Sequence, residues 1–429
     1  MTDISRRSFM ASSAAAVAGP MILPSGVLAA NGKPGANDKL VIGHIGVGGM
    51  GTGHLKFTTS REDVSVAAVC DVDKTHLASA MDLTGGKAEG YNDFRQVLDR
   101  KDIDAVIIAT PDHWHGIMAV AACEAGKDVY CEKPSSKTIE EGIAMMAAVK
   151  THGTVMQIGS QGRSTEGGRF ACNYVRNGQL GKVNRVECWH TENPVGGDWS
   201  KNQPAPPELD WDMWLGPAKW VPYNPDRVHF NFRWFMDFGA GNIRDRGAHI
   251  LNVASWCLDL DKKNPVRITA EGAPPDTGMY DCPPKMTITF EFKDPELTIV
   301  WAQPGTKPEG IDHDYGAVYH GDKDSLIVRG GDGGCHTEEK AMKYVPPADG
   351  YHAFESPGHH QNWFDCIKSR ELPLMNIEAA HRIATLCILG EIALRIQRPI
   401  EWDGDKQNII GDEHARLLLA SPGRGQWHM

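Results

Sequence analysis

Asp245 and His249 stand four residues apart in the segment "IRDRGAHIL", and both side chains can take up or release a proton. Four residues make about one turn of a helix, so the carboxylate and the imidazole can face the same space. The spacing is compatible with a catalytic acid/base pair, with part of a metal site, or with a buried ion pair between Asp245 and a neighbouring arginine. The residues alone leave these three interpretations open.

The metal interpretation has one further candidate group, His113 and His115 in "PDHWH", which could join His249 to supply three imidazoles. The carboxylate that such a zinc site would be expected to add does not stand at a recognisable spacing from them. The ten cysteines are scattered without a Cys-x-x-Cys pair, so they indicate neither a zinc site nor a disulfide framework. We therefore predict that the protein has no metal site.

A glycine-rich turn, Gly46-Val-Gly48-Gly-Met-Gly51, follows a short apolar strand and precedes a helix. In G-x-G-x-x-G, the first glycine permits a tight turn, the second lets the backbone approach a pyrophosphate, and the third lets helix and strand pack closely. Asp71 lies twenty residues after Gly51, where a carboxylate binds both ribose hydroxyls and repels a 2′-phosphate. NAD is therefore favoured over NADP. The predicted cofactor residues here are Gly46, Gly48, Gly49, Met50, Gly51 and Asp71.

The elements around these residues indicate two domains. From about residue 38 to 158, short apolar strands alternate with helices, which predicts an α/β Rossmann domain with a parallel, doubly wound sheet. Over residues 159–429 several segments alternate polar and apolar residues, as in "KMTITFEFK". This pattern predicts an α+β domain with a large, mostly antiparallel open sheet. The open face of such a sheet often meets another subunit, so we expect a homo-oligomer, either a dimer or a tetramer.

Three further motifs, "ATPDHWH", "CEKP" and Asp245-x-x-x-His249, together with the glycine turn, resemble the glucose–fructose oxidoreductase / inositol dehydrogenase / rhizopine-catabolism (Gfo/Idh/MocA) family over roughly residues 39–400. The resemblance implies that Lys133 is the catalytic lysine that bonds the reacting sugar hydroxyl. It also implies that Asp245 and His249 form the pair of the second domain, with His249 as general acid/base. The positions that it places around the nicotinamide and its ribose are Thr110, Pro111, His115, Glu132 and Lys133.

The substrate side of the site is less defined by the resemblance. The family's Asn-x-Arg turn is replaced here by Gln161-Gly-Arg163. A loop rich in proline and tryptophan follows, and its indole faces either anchor the loop or stack on a sugar ring. The candidate substrate contacts are Arg163, Trp199 and Arg244.

The chemistry of this site can also be argued from the residue types. Oxidising a secondary alcohol requires a hydride acceptor above the C–H bond and a base on the O–H group, and histidine titrates in the right range for that base. A nearby ammonium group favours the developing alkoxide. We therefore predict an NAD-dependent oxidoreductase acting on a sugar, glycoside or cyclitol. An NAD-dependent glycosidase or lyase that oxidises its sugar transiently, and a non-catalytic sugar sensor, are the alternatives.

Composition and the N-terminus limit the remaining possibilities. The 429-residue chain carries a formal net charge of -11, which disfavours a nucleic-acid partner, and no apolar run reaches membrane-spanning length. Residues 1–30 contain Arg6-Arg7 before an alanine-rich segment, which predicts a twin-arginine signal peptide, a translocase partner and export to the periplasm. This route carries folded proteins, so we expect NAD to be tightly bound.

Overall fold

The computed structural model describes residues 39–331 and 334–428. The twin-arginine signal that the sequence predicts for residues 1–30 lies outside the described residues. Within them, no helix combines the length and the apolar composition that crossing a bilayer requires. We call residues 39–158 the first domain and the described residues from 159 onward the second domain.

The first domain is built on a six-stranded sheet in which every neighbouring pair is parallel. Its strands are β1 (Leu40–Ile45), β2 (Val64–Cys70), β3 (Glu89–Tyr91), β4 (Ala105–Ile108), β5 (Asp128–Cys131) and β6 (Met156–Ile158). Their order across the sheet is β3-β2-β1-β4-β5-β6. The chain leaves β1 first toward one edge and then, from β4, toward the other. Such a switch point opens a crevice at the carboxyl ends of the strands.

Helices connect these strands, and capping residues in the sequence set where they begin and end. The fifth helix is the best example, because Thr138 and Glu141 form a capping box at its first turn and Gly153, at φ +65°, ends it in a left-handed conformation. The helices are α1 (Gly49–Thr59), α2 (Lys74–Leu83), α3 (Phe94–Leu98), α4 (His115–Glu124) and α5 (Ile139–His152).

The second domain contains a nine-stranded sheet. Its strands are β7 (Val183–Trp189), β8 (Arg267–Gly272), β9 (Met286–Lys293), β10 (Glu296–Gln303), β11 (Gly316–Gly321), β12 (Ser325–Gly331), β13 (Gly334–Thr337), β14 (Ile400–Asp403) and β15 (Asn408–Ile410). Their order is β13-β12-β11-β7-β10-β9-β8-β14-β15, and only the β7–β10 pair is parallel. Residues of β9 alternate between buried and more exposed positions, so one face of the sheet is covered. The predicted fold class is confirmed.

The remaining helices cover this sheet and join it to the first domain. They are α6 (Glu166–Arg176), α7 (Trp211–Leu215), α8 (Asn242–Asp245), α9 (Gly247–Cys257), α10 (Glu339–Met342), α11 (His359–Ser369), α12 (Ile377–Ile396) and α13 (Glu413–Arg416). Helix α12 is buried along most of its length and packs on α5 and β6 of the first domain as well as on α8, α9 and β8. It therefore fixes the two halves of the molecule against each other.

A buried carboxylate on α12 gathers cations from both domains. Glu391 accepts hydrogen bonds from Lys137 (2.9 Å), Arg244 (3.1 Å) and Arg395 (3.0 Å). Arg244 also donates to the backbone carbonyls of Ser136 and Lys137. Burial alone would raise the pKa of Glu391, but the three cations outweigh it and lower the pKa to about 2. The cluster ties α8 to the loop that follows β5.

We expect Glu391→Gln to lower the free energy of unfolding at pH 7 by about 3 kcal/mol, because it leaves two buried cations without their carboxylate. A carboxyl group with a lowered pKa contributes stability above its ordinary value of 4.5, and this contribution is lost as pH falls toward about 2. Urea unfolding at pH 7 and at pH 3 should therefore show a smaller difference between variant and wild type at pH 3. Glu378→Gln, at an exposed position of the same helix, should cost about 1 kcal/mol or less. Equal losses for the two variants would contradict the cluster's role.

Candidate active site

A cavity of about 540 Å³ lies at the carboxyl ends of the parallel strands, between the first and second domains. It is the kind of crevice that a switch point in a parallel sheet produces. Most of the residues that the sequence predicts for the site line it. These are Gly46, Gly48, Gly49, Met50, Asp71, Thr110, Pro111, Glu132 and Lys133 from the first domain, and Asp245 and His249 from the second.

At one end of the cavity, the backbone of the glycine turn leaves no room for a side chain at two of its glycines. Gly46 has φ +80°, and a Cβ atom there would lie 2.8 Å from the carbonyl group of Ala109. A Cβ atom on Gly51 would lie 1.9 Å from the carbonyl oxygen of Gly46. Helix α1 begins within this turn, at Gly49, without a side-chain cap, so its first N–H groups are available to an anion. The turn therefore fits a pyrophosphate.

Asp71 lies beside this turn at the end of β2. Its Oδ2 accepts a hydrogen bond from the Val47 N–H (2.9 Å) and its Oδ1 accepts one from the Asp73 N–H (2.9 Å). These bonds fix the carboxylate at the rim of the cavity, and each oxygen retains a lone pair for a ribose hydroxyl. Further along, the buried Thr110 hydroxyl has no hydrogen-bond partner within the described residues. The arrangement fits a dinucleotide that enters at Asp71 and extends toward Thr110.

We expect Gly51→Ala to weaken NAD binding about 100-fold, because the added methyl group meets the backbone of the turn and not a movable side chain. The measurement is titration of the cofactor-free protein with NAD. Gly53→Ala is the matched control, since a Cβ atom at Gly53 meets nothing within 4 Å on the same helix. Equal affinities for the two variants would show that the turn does not require Gly51.

At the other end of the cavity, a charged pair joins the two domains. Lys133 Nζ, from the segment after β5, lies 2.5 Å from Asp245 Oδ1 at the end of α8. Arg233 Nε and Arg246 Nε each lie 3.4 Å from an oxygen of the same carboxylate. Burial alone would raise the pKa of Asp245, but Lys133, Arg233 and Arg246 hold it well below its usual range. Asp245 is therefore a permanent carboxylate that positions the Lys133 ammonium group in the cavity.

His249 lies one turn further along, in the first turn of α9, and its half-buried ring lines the same cavity. Its ring nitrogens make no hydrogen bond to the described part of the protein, so they are available to a substrate. Burial, and then the nearby Lys133 ammonium, lower the pKa of His249 to about 4. The imidazole is therefore neutral near pH 7 and can accept a proton from a hydroxyl group.

Glu132 precedes the lysine, and its carboxylate is held from two directions. Oε1 lies 3.0 Å from His54 Nε2, and Oε2 accepts a hydrogen bond from the Lys133 N–H (3.2 Å). Gly159 leaves room for this carboxylate, because a Cβ atom there would lie 2.4 Å from Oε1. Burial would raise the pKa of Glu132, but His54, Lys133 and His249 outweigh it and lower the pKa to about 2. Glu132 is thus an anion in the wall of the cavity.

Two of the predicted residues lie behind the cavity. Gly51 is buried behind the turn, where it supports the glycines that line the cavity. His115 was expected beside the nicotinamide, but its ring is buried between two loops. Its Nδ1 lies 2.7 Å from the Pro134 carbonyl oxygen and its Nε2 lies 2.9 Å from the Thr110 carbonyl oxygen. His115 therefore acts on the site only by bracing these loops.

The structure does not bring the three predicted substrate contacts into the cavity. Arg163 is buried and pairs with Asp261 at 2.6 Å. Trp199 is 56 % exposed and donates its indole N–H to the Gly278 carbonyl. Arg244 is fully buried in the cluster around Glu391. Each of these side chains has another partner outside the cavity.

The second domain lines the cavity with side chains that are not among the three predicted substrate contacts. Trp214 belongs to α7 and Arg246 follows α8, and the others come from the segment between these helices, where no periodic spacing marks which residues face inward. The sequence signals are the tryptophan-rich composition for Trp214 and proximity to Asp245 for Arg246. Asp112, which also lines the cavity, has its pKa raised by burial. The additional side chains are Trp214, Phe230, Phe232, Arg233 and Arg246.

The imidazoles considered as zinc ligands are held apart from one another. His113 is buried, and its Nε2 lies 2.9 Å from the Trp214 carbonyl oxygen. Among the described residues, the group whose ligand atoms lie within 4.8 Å of one another is a different one, Asp73, His76 and His229. There His229 Nε2 lies 3.2 Å from Asp73 Oδ2. This contact joins the two domains at the Asp71 end of the cavity.

The comparisons with known proteins cover both domains. Residues 40–160 match the NAD-binding Rossmann fold of the GFO_IDH_MocA oxidoreductase family. Residues 188–429, more than half of the chain, match the family's C-terminal alpha/beta domain, GFO_IDH_MocA_C2. The two matches leave only residues 161–187 between them, and they include every strand of both sheets except the first part of β7.

Individual relatives are more distant. A glycosyl hydrolase family 109 protein of Stenotrophomonas maltophilia (strain K279a) is 30% identical over 230 residues, which are 51% of this chain and 49% of that protein. A levoglucosan dehydrogenase of Pseudarthrobacter phenanthrenivorans (strain DSM 18606 / JCM 16027 / LMG 23796 / Sphe3) is 32% identical over 226 residues, 51% of each chain. The chain thus spans about half the length of the curated relatives it matches.

A solved structure has the same fold. Levoglucosan dehydrogenase in complex with NADH and L-sorbose superimposes with a TM-score of 0.60 at 20% sequence identity, over 85% of this chain and 99% of that chain. The glycine turn, Asp71 and the family match to the Rossmann domain agree that the first domain binds NAD. Because the match to the second domain alone covers more than half of the chain, the protein belongs to the Gfo/Idh/MocA oxidoreductase family.

Proposed function

We propose that the protein is an NAD-dependent dehydrogenase that oxidises a secondary hydroxyl group of a sugar, glycoside or cyclitol. The observation that carries the proposal is the contact of 2.5 Å between Lys133 and Asp245, which brings an ammonium group into the same cavity as the neutral His249 and the NAD-binding turn. The levoglucosan dehydrogenases among the relatives support this reaction class. The aromatic side chains of the second domain suit the faces of a sugar ring.

The residues of the chain divide the proton chemistry between them. His249 is neutral near pH 7 and takes the proton of the reacting hydroxyl group. Lys133, held by Asp245, donates a hydrogen bond to the same oxygen as negative charge develops on it. NAD, when bound, accepts the hydride from the carbon atom. Arg233 and Arg246 keep Asp245 ionised, so that the lysine stays in place throughout the reaction.

A redox-neutral glycosidase is the second candidate, because one of the relatives is a glycosyl hydrolase family 109 protein. Such an enzyme would oxidise a sugar hydroxyl, eliminate the aglycone and return the hydride, with no net change in NAD. The same three residues would serve, since oxidation is common to both cycles. A sugar sensor is less favoured, because a binding protein has no need of a neutral base beside an ammonium group.

One experiment separates these functions. The protein loaded with NAD is incubated with a panel of free sugars, cyclitols and aryl glycosides, and NADH absorbance and aglycone release are followed together. NADH formation without release supports the dehydrogenase. Release without net NADH supports the glycosidase, and saturable binding with neither supports a sensor. We expect NADH formation.

We further propose that the protein is exported with its cofactor and keeps it. The support is Arg6-Arg7 in the first thirty residues, together with an NAD cavity walled by both domains. The test is fractionation of cells that produce the full chain, followed by denaturation of the purified mature protein and measurement of the NAD released. A protein that stays in the cytoplasm when its twin-arginine translocase is intact would contradict export. Light scattering would test the expected homo-oligomer.

A further inference from the structure

We propose that His54 and His360 form a proton relay between Glu132 in the active-site cavity and the surface of the protein. The three side chains make a continuous hydrogen-bonded chain, with 3.0 Å between Glu132 Oε1 and His54 Nε2 and 2.9 Å between His54 Nδ1 and His360 Nε2. The inference rests on the proposed function, because it assigns a route to the proton that sugar oxidation exchanges with solvent.

Exposure increases along this chain from the cavity outward. Glu132 and His54 are each only 4 % exposed, whereas His360 is partly exposed. His54 belongs to α1 of the first domain, and His360 to the first turn of α11. The rings are held in place by packing, since His360 stacks on Tyr130 with 4.8 Å between ring centroids and lies 4.5 Å from the Phe57 ring. The chain thus leads from the buried Glu132 to a partly exposed imidazole.

The reaction requires such a route. Oxidation of a secondary alcohol by NAD⁺ breaks a C–H and an O–H bond, forms a C=O bond and NADH, and leaves one proton for each hydride transferred. The half-buried His249 takes this proton in the cavity. Because the pKa of His249 is lowered to about 4, the imidazolium must pass the proton on to another group. Glu132 lines the same cavity and carries negative charge, so it is the acceptor from which the chain begins.

The hydrogen bonds also set the direction of transfer. With Glu132 ionised and both rings neutral, each ring carries its hydrogen on Nε2, and His54 Nδ1 accepts from His360. In this state a proton taken up by His360 Nδ1 moves inward, and each ring ends with its hydrogen on Nδ1. Release of the proton that oxidation leaves runs the other way: both ring hydrogens are on Nδ1 when Glu132 accepts that proton, each ring then accepts on Nε2 and releases from Nδ1, and both hydrogens end on Nε2, as in the first state. A cycle in which NAD is reduced and then reoxidised on the enzyme therefore resets the relay.

Other charged groups lie near the relay but are not members of it. His44 bonds the Thr58 hydroxyl at 2.9 Å, and His359 bonds Ser164 and the Ile158 carbonyl, so both have separate partners. Burial and neighbouring imidazoles lower the pKa of His44 and His360 to about 3. The titratable or charged groups facing the relay are His44, Arg61, Tyr130, Lys133, His249 and His359.

The test uses the NAD-loaded holoenzyme and a sugar that the wild type oxidises. Stopped-flow absorbance follows NADH formation, and a pH-indicator dye in weak buffer follows proton release in the same mixture. We expect His54→Gln to lower turnover about 100-fold and His360→Gln about tenfold, within the range of lost proton-transfer steps. Imidazole added to His54→Gln should restore turnover at least about fivefold, which a purely structural role would not produce.

His44→Gln is the matched control, because His44 is a buried neighbouring histidine outside the relay, and its turnover should stay within about twofold of wild type. If His54→Gln does not fold, the partly exposed His360→Gln carries the test. Wild-type turnover and proton release in both relay variants would overturn the relay alone. If the wild type reduces NAD with none of the sugars tested, that result would overturn the proposed function and the relay with it.

Discussion

Replacing Lys133 with methionine is expected to lower kcat/KM for the sugar about 1000-fold, while the protein keeps its NAD and its fold. The ammonium group lines the same cavity as His249, where it can donate to a developing alkoxide, and removing one preorganised donor commonly costs a factor of roughly 100 to 1000. Methionine preserves most of the volume of the side chain. Asp245 keeps Arg233 and Arg246 as partners, so Lys133→Met does not leave a buried carboxylate without a cation. Steady-state kinetics and the NAD content of the purified variant measure the two effects.

Lys137→Met is a demanding control for this result. Lys137 is also a buried lysine in an ion pair, 2.9 Å from Glu391, but it does not line the cavity. We expect this variant to be less stable and yet to keep kcat/KM per folded molecule within about threefold. If both variants lose activity alike, the loss at Lys133 reflects stability and not chemistry.

The second large effect concerns His249. We expect His249→Gln to lower kcat/KM about 1000-fold, since glutamine can hold a hydroxyl group but cannot take its proton. In the wild type, burial and Lys133 disfavour the imidazolium, so the active neutral form is present above its pKa of about 4. The acid limb of the kcat/KM profile should therefore lie near pH 4, well below the ordinary histidine value of 6.5. The measurement is kcat/KM from pH 3.5 to 8, within the range where the protein stays folded.

Two variants sharpen this prediction. In Lys133→Met the residual activity should show its acid limb at a higher pH than the wild type, because one cause of the lowered pKa of His249 has been removed, while burial and Arg246 remain. His381→Gln is the matched control, since His381 is a buried histidine whose pKa is also lowered to about 4 but which bonds Gln407 outside the cavity. An acid limb near pH 6.5 in the wild type would contradict a desolvated base.

The sequence predicts best those site residues that lie close together along the chain and follow a known motif. Gly46 to Gly51 and Asp71 lie within one strand–helix–strand unit, where each position follows from the turn that it must make. Lys133 and Asp245 are 112 residues apart, and only the family resemblance indicated that they meet. His54 and His360 are 306 residues apart and match no motif, so their contact could be found only in the folded structure.

The predicted substrate contacts are the residues that the structure does not bring into the cavity, and the reason is physical. Arg163 and Arg244 are conspicuous in the sequence because they are charged. In the fold both are buried, and each pairs with a carboxylate, Asp261 and Glu391 respectively. Trp199 was conspicuous as an aromatic residue, and Trp214, Phe230 and Phe232 of the same region line the cavity instead. Which aromatic side chains of an irregular loop face inward depends on the path of its backbone, and residue types do not determine that path. The fold class was predicted well because strand and helix periodicity is a property of short segments.

The cluster around Glu391 has a consequence for anyone who wishes to exchange parts of this protein. The cofactor half and the substrate half of the site come from different domains, so a chimera with a foreign second domain is an obvious way to redirect substrate choice. Glu391 and Arg244 would leave with the old second domain, and Lys137 would remain in the first domain with its charge buried and unmatched. A workable crossover must therefore carry position 137 along with the segment that contains positions 244 and 391. The boundary for domain exchange is set by this shared charge and not by the end of the parallel sheet.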